Sequence, residues 1–316
     1  MTNILWQILP WGYQVLLSIE AMRNGFFNII FPIITEIGGE LGYLFILAVV
    51  YWSVNKSIGQ GLAYAYMVSG VIITWLKAIW GIPRPDSSAI EDALKQAGIS
   101  RRLTPLAHET SPAFPSGHAF QATISWGYMA AAFKNPWCWV LAVIMALLIG
   151  FSRMYLGVHY PQDVLAGWGF GIIYLVIWWL AEPYIRAWFS KLAVGWRYTL
   201  AVLVPLILVT IYPAHDSSSA MGAIIGLGIG FVLEGQTIRF TTTGSLQQRV
   251  LRAFVGLVPL VVLFLGLRVL FSLFDESMGP AMSIVWHVIH YALIGFLAAW
   301  GAPWLFIRFG MAKQEA

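Results

Sequence analysis

Residues 152–180 read SRMYLGVHYPQDVLAGWGFGIIYLVIWWL, and this stretch indicates how the chain is organised. Its second part, from Val164 to Leu180, contains no Asp, Glu, Lys or Arg and approaches the roughly 20 apolar residues that a membrane-spanning helix needs. Its first part contains Arg153 and places His159 and Asp163 just before that run. Ionisable side chains are costly near a membrane span, so these residues indicate a function.

Similar apolar runs occur along the whole chain, which is 59% hydrophobic and only 10% charged. We therefore predict an all-α polytopic membrane bundle of about nine transmembrane helices. Gly38-Gly39 interrupts the first run, which is either one kinked span or a half-helix followed by a short helix. The runs cover residues 25–54, 59–80, 117–133, 136–151, 164–180, 196–212, 220–233, 250–274 and 281–307.

The first 24 residues do not resemble a cleaved secretory signal, because they lack a basic n-region and carry Glu20 and Arg23. We expect an amphipathic helix that lies in the membrane interface. If residues 4–22 crossed the bilayer instead, the chain would have ten spans.

Two further polar motifs precede the one around His159, again at the edges of apolar runs. The first is Lys77, six residues, then Arg84-Pro85, where the prolines at 83 and 85 favour extended backbone. The second is Pro115-Ser116-Gly117-His118, in which Ser116 is a plausible N-cap of the helix that follows. Backbone N–H groups at a helix N-terminus point at a bound anion. A lysine at the end of a helix is, on its own, more often a snorkelling side chain than a ligand. The second motif on its own would be read as an ordinary helix cap.

The third motif suggests an oriented base. Pro161 is expected at the first helical position, which leaves His159 just outside the helix and Asp163 in its first turn. A carboxylate that accepts Nδ1–H fixes the tautomer and leaves the Nε2 lone pair free to attack an electrophile. The alternative is a capping acid beside an interfacial histidine. The three motifs together supply cations, imidazoles, a carboxylate and a helix N-terminus, which suit a phosphoryl group attacked by histidine.

The distribution of Lys and Arg predicts which side of the membrane carries the motifs, because cytoplasmic loops have an excess of these residues. One side of the predicted bundle would hold Lys56, Lys134, Arg186, Lys191, Arg197, Arg239, Arg249, Arg252, Arg308 and Lys313. The motif side would hold Lys77, Arg84, Lys95, Arg101, Arg102 and Arg153. The motifs are therefore expected on the non-cytoplasmic face. The net charge of +4 follows from this bias, and no soluble basic stripe suggests a nucleic-acid partner.

Metal binding has little support in the sequence. Cys138 is the single cysteine, and no Cys or His cluster has zinc-ligand spacing. We expect neither a metal nor another cofactor.

The three motifs resemble, in order and spacing, the signature of the type 2 phosphatidic acid phosphatase superfamily. The layout outside the motifs is similar to sphingosine-1-phosphate phosphatases and more distantly to glucose-6-phosphatase. The resemblance implies a six-helix-type phosphatase core with a C-terminal three-helix extension. The expected regions are the interfacial helix at 1–24, the core at 25–195 with motifs at 77–85, 115–118 and 152–163, and the transmembrane extension at 196–316.

The resemblance also implies a role for each motif residue. His159 is the implied nucleophile, Asp163 orients it, and His118 is the implied general acid and base. The phosphate oxygens would be held by Lys77, Arg84, Ser116, Gly117 and Arg153. Gly117 stands where the sphingolipid phosphatases tend to have Thr, which leaves the chemistry intact and the substrate open.

Two other features have weaker claims to function. The loop from Asp86 to Phe114 contains several charged residues, Glu109 among them, so it either covers the site and reads the head group or is a solvated loop with incidental contacts. Gly222, Gly226 and Gly230 recur every four residues in an apolar run, which is typical of closely packed membrane helices.

These inferences predict an integral membrane phosphatase that hydrolyses a lipid phosphate monoester or pyrophosphate through a phosphohistidine, without a metal. Phosphatidate, a sphingoid phosphate or an isoprenyl (pyro)phosphate would fit, with membrane lipids as the surroundings. The expected location is a bacterial inner membrane with the site on the periplasmic face. The alternatives are a lipid phosphotransferase, a sugar phosphatase like glucose-6-phosphatase, and a lipid transporter that binds phosphate without cleaving it.

Overall fold

The computed structural model describes residues 2–85, 91–99, 104–273 and 279–315, and within these residues the chain is built from helices. Two π-helical turns cover Val50–Val54 and Leu297–Gly301. The helices are α1 Thr2–Ala21, α2 Gly25–Ile37, α3 Glu40–Val49, α4 Lys56–Trp80, α5 Glu91–Gln96, α6 Gly117–Phe133, α7 Pro136–Tyr155, α8 Pro161–Lys191, α9 Val194–Ile211, α10 His215–Thr237, α11 Leu246–Ser272, α12 Pro280–Phe296 and α13 Ala302–Arg308.

The chain is an integral membrane protein, and its all-helical class agrees with the prediction. In the part of the chain that the structure describes, seven helices are long and apolar enough to cross a membrane, or eight if a bent pair counts as one span. The predicted number of nine is not confirmed. The run at 117–133 forms α6, which has only 17 residues because it begins after the Ser116 cap and ends at Lys134, where φ is 53°. Helix α1 is not among the candidate spans.

The first apolar run is broken where the glycine pair interrupts it. Helices α2 and α3 meet at a bend of 53° around Gly38-Gly39. A Cβ at Gly42 would lie 2.4 Å from the Glu36 carbonyl oxygen, so the first turn of α3 folds closely against the end of α2. The run is thus a bent pair of helices rather than one straight helix.

The chain forms two compact units. The first comprises residues 1–43 and 72–179 and contains all three polar motifs. In this unit α7 packs against α1, α2 and α6. The apolar contact includes Tyr13 and Leu16 of α1, Phe31 of α2, and Tyr155 and Tyr160. The site is therefore supported by a packed aromatic cluster beside its third motif.

The second unit comprises residues 44–71 and 180–316, and α10 packs closely on α12 within it. A Cβ added at Gly222 would lie 2.3 Å from the Val288 carbonyl oxygen, and one at Gly226 would lie 1.9 Å from that of Ala292. Only glycine permits such an approach of two backbones. The small-residue stripe is confirmed as a helix-packing surface.

Candidate active site

Arg84 joins the first motif to the third. The chain leaves α4 through Gly81, whose φ is +57°, and Arg84 then extends inward until its side chain is only 4% exposed. One terminal nitrogen donates to the Val158 carbonyl oxygen at 2.9 Å and lies 3.1 Å from His159 Nε2. The guanidinium therefore faces the ring atom that would attack a substrate.

His159 and Asp163 form the buried pair that the third motif predicts, each with a side chain 1% exposed. Helix α8 begins at Pro161, so Asp163 lies in its first turn and its Oδ2 is 3.4 Å from His159 Nδ1. The same oxygen accepts the Tyr160 backbone N–H at 2.8 Å, which fixes the carboxylate. Arg84 can only donate, so Nε2 accepts and Nδ1 carries the proton towards Asp163. The arrangement favours the tautomer whose lone pair is on Nε2.

The electrostatic surroundings keep the His159 imidazole neutral. Burial lowers the pKa of His159 well below its ordinary value of 6.5, and the charges of Arg84 and Arg153 lower it further. A charged imidazole is disfavoured both by desolvation and by neighbouring cations. The ring of His159 therefore keeps an unprotonated nitrogen at neutral pH.

Lys77 lies in the last turn of α4, and its ammonium reaches the loop that leads to the second motif. Nζ donates to Ser111 Oγ at 3.1 Å and to the Pro112 carbonyl oxygen at 2.8 Å. Arg84 also contacts Ser111, through Oγ at 3.0 Å and through the carbonyl oxygen at 2.7 Å. Ser111 therefore links the two cations of the first motif, a role that its place in a polar loop gave no reason to predict.

Arg153 lies in the last turn of α7 with its side chain 2% exposed. It pairs with Glu109 Oε1, while Glu109 Oε2 lies 2.6 Å from a terminal nitrogen of Arg84. One carboxylate thus joins both arginines. Arg153 also donates to Thr35 Oγ1 at 3.3 Å, and Thr35 is hydrogen-bonded to Ser152 at 2.6 Å. Thr35 was not predicted, and its only signal is a hydroxyl in an apolar run near the Gly38-Gly39 break.

The second motif adjoins the other two at the N-terminus of α6. Ser116 caps this helix, accepting from the Ala119 N–H, and its own backbone N–H donates to the Asp163 carbonyl oxygen at 2.9 Å. A Cβ at Gly117 would lie 3.9 Å from Lys77 Cε. His118 follows in the first turn of the same helix. The three motifs therefore meet in one place.

The end of α1 braces the loop that carries Glu109. Arg23 donates to the Tyr155 carbonyl oxygen at 2.7 Å and to that of Thr104, while Glu20 accepts the Thr104 N–H at 3.1 Å. The Leu106 N–H donates to the Leu156 carbonyl oxygen at 2.9 Å. The part of this loop that begins at Thr104 is thereby tied to the end of α7, close to Arg153. The charges of Glu20 and Arg23 are evident in the sequence, but nothing in the sequence indicates this role.

The donor set of the site consists of cations, imidazoles and backbone N–H groups. Among the described residues, no group of three or more His, Cys, Asp or Glu side chains could hold a metal ion. Such a set suits an anionic ligand. That catalysis needs no metal stays a prediction.

The chain is similar to several named proteins. It is 44% identical over 63 residues to the undecaprenyl-diphosphatase of Sulfolobus acidocaldarius, which covers 20% of this chain and 30% of that protein. It is 24% identical over 225 residues to sphingosine-1-phosphate phosphatase 2 of Homo sapiens, covering 67% and 53%. The chain spans between 30% and 43% of the length of the first curated relatives that it matches.

A solved structure is also similar, the first transmembrane PAP2 type phosphatidylglycerolphosphate phosphatase from Bacillus subtilis. The sequence identity is 21% and the TM-score is 0.45, over 58% of this chain and 94% of that one.

Two family models match the chain. The model of the PAP2 superfamily matches residues 60–187, which include all three motifs, and the model of the transmembrane extension of PAP2 superfamily phosphatases matches residues 218–314. Together they match more than half of the chain, over the region of the motifs and over the predicted extension. The chain belongs to the PAP2 superfamily.

Proposed function

We propose that this protein is an integral membrane phosphatase that hydrolyses a lipid phosphate monoester or pyrophosphate through a phosphohistidine on His159. One observation carries the proposal: Arg84 lies 3.1 Å from His159 Nε2, while Nδ1 of the same ring faces the buried Asp163. The nucleophilic atom and a phosphate-binding cation are thus adjacent, and the opposite ring nitrogen is held by a carboxylate. This is the geometry of an activated nucleophile.

In the first half of the reaction, Nε2 of His159 attacks phosphorus and the bond to the leaving oxygen breaks. His118 gives its proton to that oxygen, so the lipid alcohol leaves neutral. Asp163 stabilises the positive charge that develops on the His159 ring. The products of this half are a phosphorylated His159 and the free alcohol, or a lipid monophosphate when the substrate is a pyrophosphate.

In the second half, water attacks phosphorus and His118 takes its proton. The nitrogen–phosphorus bond breaks, which releases inorganic phosphate and restores neutral His159. In both halves the developing charge on the phosphate oxygens would be held by Lys77, Arg84 and Arg153 with the α6 N-terminus at Ser116 and Gly117. Losing one comparable donor typically costs about 2.7–4 kcal/mol of transition-state stabilisation. The cations would do the work of a metal ion.

A lipid substrate is supported by where the motifs lie. Each motif is next to a helix that is long and apolar enough to cross a membrane, or to the apolar α6. A phosphate head group could therefore enter the site while its tail remains in lipid. The Lys and Arg bias between loops supports a non-cytoplasmic site, which in a bacterium is the periplasmic face of the inner membrane.

The test is phosphate release by the purified protein in detergent with EDTA present. We expect turnover of phosphatidate, a sphingoid phosphate or an isoprenyl pyrophosphate, and loss of turnover in His159→Ala. His215→Ala is the matched control, because His215 is exposed in the second unit. Unaltered phosphate release by His159→Ala would disprove the assignment of the nucleophile.

The same assay separates the other functions that the sequence left open. Release from glucose 6-phosphate but not from any lipid phosphate would indicate a sugar phosphatase. Transfer of the phosphoryl group to an added alcohol in preference to water would indicate a phosphotransferase. Saturable binding of lipid phosphates without release of phosphate would indicate a transporter.

A further inference from the structure

The carboxylate of Glu109 occupies the space between the two buried arginines of the site. Its Oε2 lies 2.6 Å from Arg84 and its Oε1 pairs with Arg153. Each carboxylate oxygen is thus bound by a different guanidinium. The side chains of Arg84 and Arg153 are 4% and 2% exposed, whereas that of Glu109 is 30% exposed.

Carboxylate and phosphate oxygens bind guanidinium groups in the same way, through short charge-assisted hydrogen bonds. The groups that would hold the equatorial oxygens of a substrate are therefore already bound to an internal anion. A substrate phosphoryl group cannot contact both arginines at these positions while Glu109 remains there. Glu109 and the substrate compete for the same donors.

The surroundings of Glu109 are suited to both a bound and a displaced position. Two buried guanidinium groups without a counter-ion would be strongly unfavourable, so the carboxylate stabilises the empty pocket. Glu109 lies outside any helix, in the stretch between Thr104 and Pro115, and it already contacts solvent. Its side chain can swing into water by rotation about its own bonds without breaking a helix.

We propose that Glu109 is an internal competitor for the phosphate pocket, displaced by the substrate phosphoryl group and returning when inorganic phosphate leaves. The inference rests on the proposed function and names the residue that sets which anions can bind. Displacing Glu109 costs the same for every ligand, so it raises KM without changing kcat. The dissociation constants of weakly bound anions then exceed the concentrations at which these anions are available. Strongly bound anions still enter the pocket.

Such a threshold matters for an enzyme embedded in phospholipid. A phosphate monoester carries close to two negative charges at neutral pH, because its second pKa is about 6. The phosphodiester of an ordinary phospholipid carries one charge and surrounds the protein in large excess. Glu109 would keep these head groups out of the pocket and would speed the release of the inorganic phosphate product.

The first test is binding and needs no turnover. Orthophosphate and dimethyl phosphate, a singly charged diester, are titrated calorimetrically into wild-type protein, Glu109→Gln and Glu109→Ala. We expect both anions to bind both variants at least about tenfold more tightly than wild type, which corresponds to about 1.4 kcal/mol. Glu182→Gln is the matched control, because Glu182 pairs with Arg186 at 2.6 Å in the second unit, and it should bind like wild type.

The second test is kinetic, in detergent micelles with phosphatidate as substrate. We expect Glu109→Gln to lower KM and the Ki of orthophosphate by a similar factor. Phosphatidylglycerol should inhibit this variant at mole fractions that leave wild type unaffected. Unchanged or weaker anion binding in both variants would overturn the inference, as would the failure of both to fold by size-exclusion chromatography and circular dichroism, since Glu109 would then be a structural counter-ion. If wild type releases no phosphate but the variants bind anions more tightly, the proposed function fails and the competitor role stands.

Discussion

His159 is the proposed nucleophile, and charged side chains lie on two sides of its ring. Arg84 lies at Nε2 and Asp163 lies at Nδ1, so both ring nitrogens are engaged. The cations that would bind phosphate also disfavour protonation of the ring. In the proposed mechanism, substrate binding and nucleophile activation therefore depend on the same side chains.

This coupling predicts how activity changes with pH. The pKa of His159 is lowered mainly by burial, then by Arg84 and Arg153. The proposed mechanism requires the neutral ring. As pH falls, the ring stays neutral through 6.5 and becomes protonated only at lower pH. The acidic limb of the kcat/KM profile should therefore lie below pH 6.5, after correction for ionisation of the substrate measured by phosphorus NMR. A limb at or above 6.5 would contradict the assigned environment.

The placement of the motif residues could be predicted because each motif is a short, local pattern. His159, Pro161 and Asp163 take the positions that a helix beginning at Pro161 requires. Glu109 and Ser111 could not be placed in the same way, since their partners are 25 or more residues away in the sequence and lie on other segments. A single charged residue in a polar loop gives no information about which distant cation it meets.

Helices α6 and α8 hold the second and third motifs together through a close backbone contact. A Cβ at Gly167 would lie 2.6 Å from the Ser116 carbonyl oxygen and 3.0 Å from Ala119 Cβ. The absence of a side chain at Gly167 lets the N-terminus of α6 approach α8. The hydrogen bond from Ser116 N–H to the Asp163 carbonyl oxygen depends on this approach.

Gly167→Ala should therefore displace the α6 N-terminus. We expect a stability loss of about 1–3 kcal/mol from overpacking. A displacement of about 1 Å can lower kcat roughly 100-fold. The measurements are the thermal unfolding midpoint and kcat of the purified protein.

Gly169→Ala on the same helix is the matched control, because a Cβ there meets nothing within 4 Å. It should unfold and turn over like wild type. Equal behaviour of the two variants would mean that the contact at Gly167 is not needed.

The positions of the helices followed well from the apolar runs, because each long run must form a helix in lipid to satisfy its backbone. Their ends were less accurate. Helix α8 continues to Lys191, beyond the apolar run that ends at Leu180. Its last part mixes polar and apolar residues, so the apolar run did not include it. The bend of the first run was indicated by its glycine pair, but an angle depends on packing and cannot be obtained from composition.

Across the chain, the two compact units contain different kinds of packing. The first unit has its polar motifs at the ends of helices, and the second has the α10–α12 contact along a glycine stripe. Membrane helices gain little from hydrophobic burial, so close backbone packing supplies much of their association. The second unit should accordingly be sensitive to small added volumes on α10.

Gly226→Ala tests this sensitivity, because its Cβ would lie 1.9 Å from the Ala292 carbonyl oxygen. We expect a lower unfolding midpoint, with an overpacking cost of about 1–3 kcal/mol. Gly235→Ala, also on α10, adds a Cβ that meets nothing within 4 Å and should not lower the midpoint. Differential scanning fluorimetry in detergent measures both. A Gly226→Ala midpoint equal to that of Gly235→Ala would contradict the role of the stripe.

The near-complete burial of His159, with its side chain only 1% exposed, bears on the lifetime of a phosphorylated ring. Bulk solvent does not reach the His159 ring. The rate of hydrolysis of a phosphorylated His159 would therefore depend on how fast a nucleophile enters by the route through which the alcohol left. The ratio of hydrolysis to phosphoryl transfer to an alcohol would then depend on how much water that route admits rather than on the intrinsic reactivity of the two acceptors.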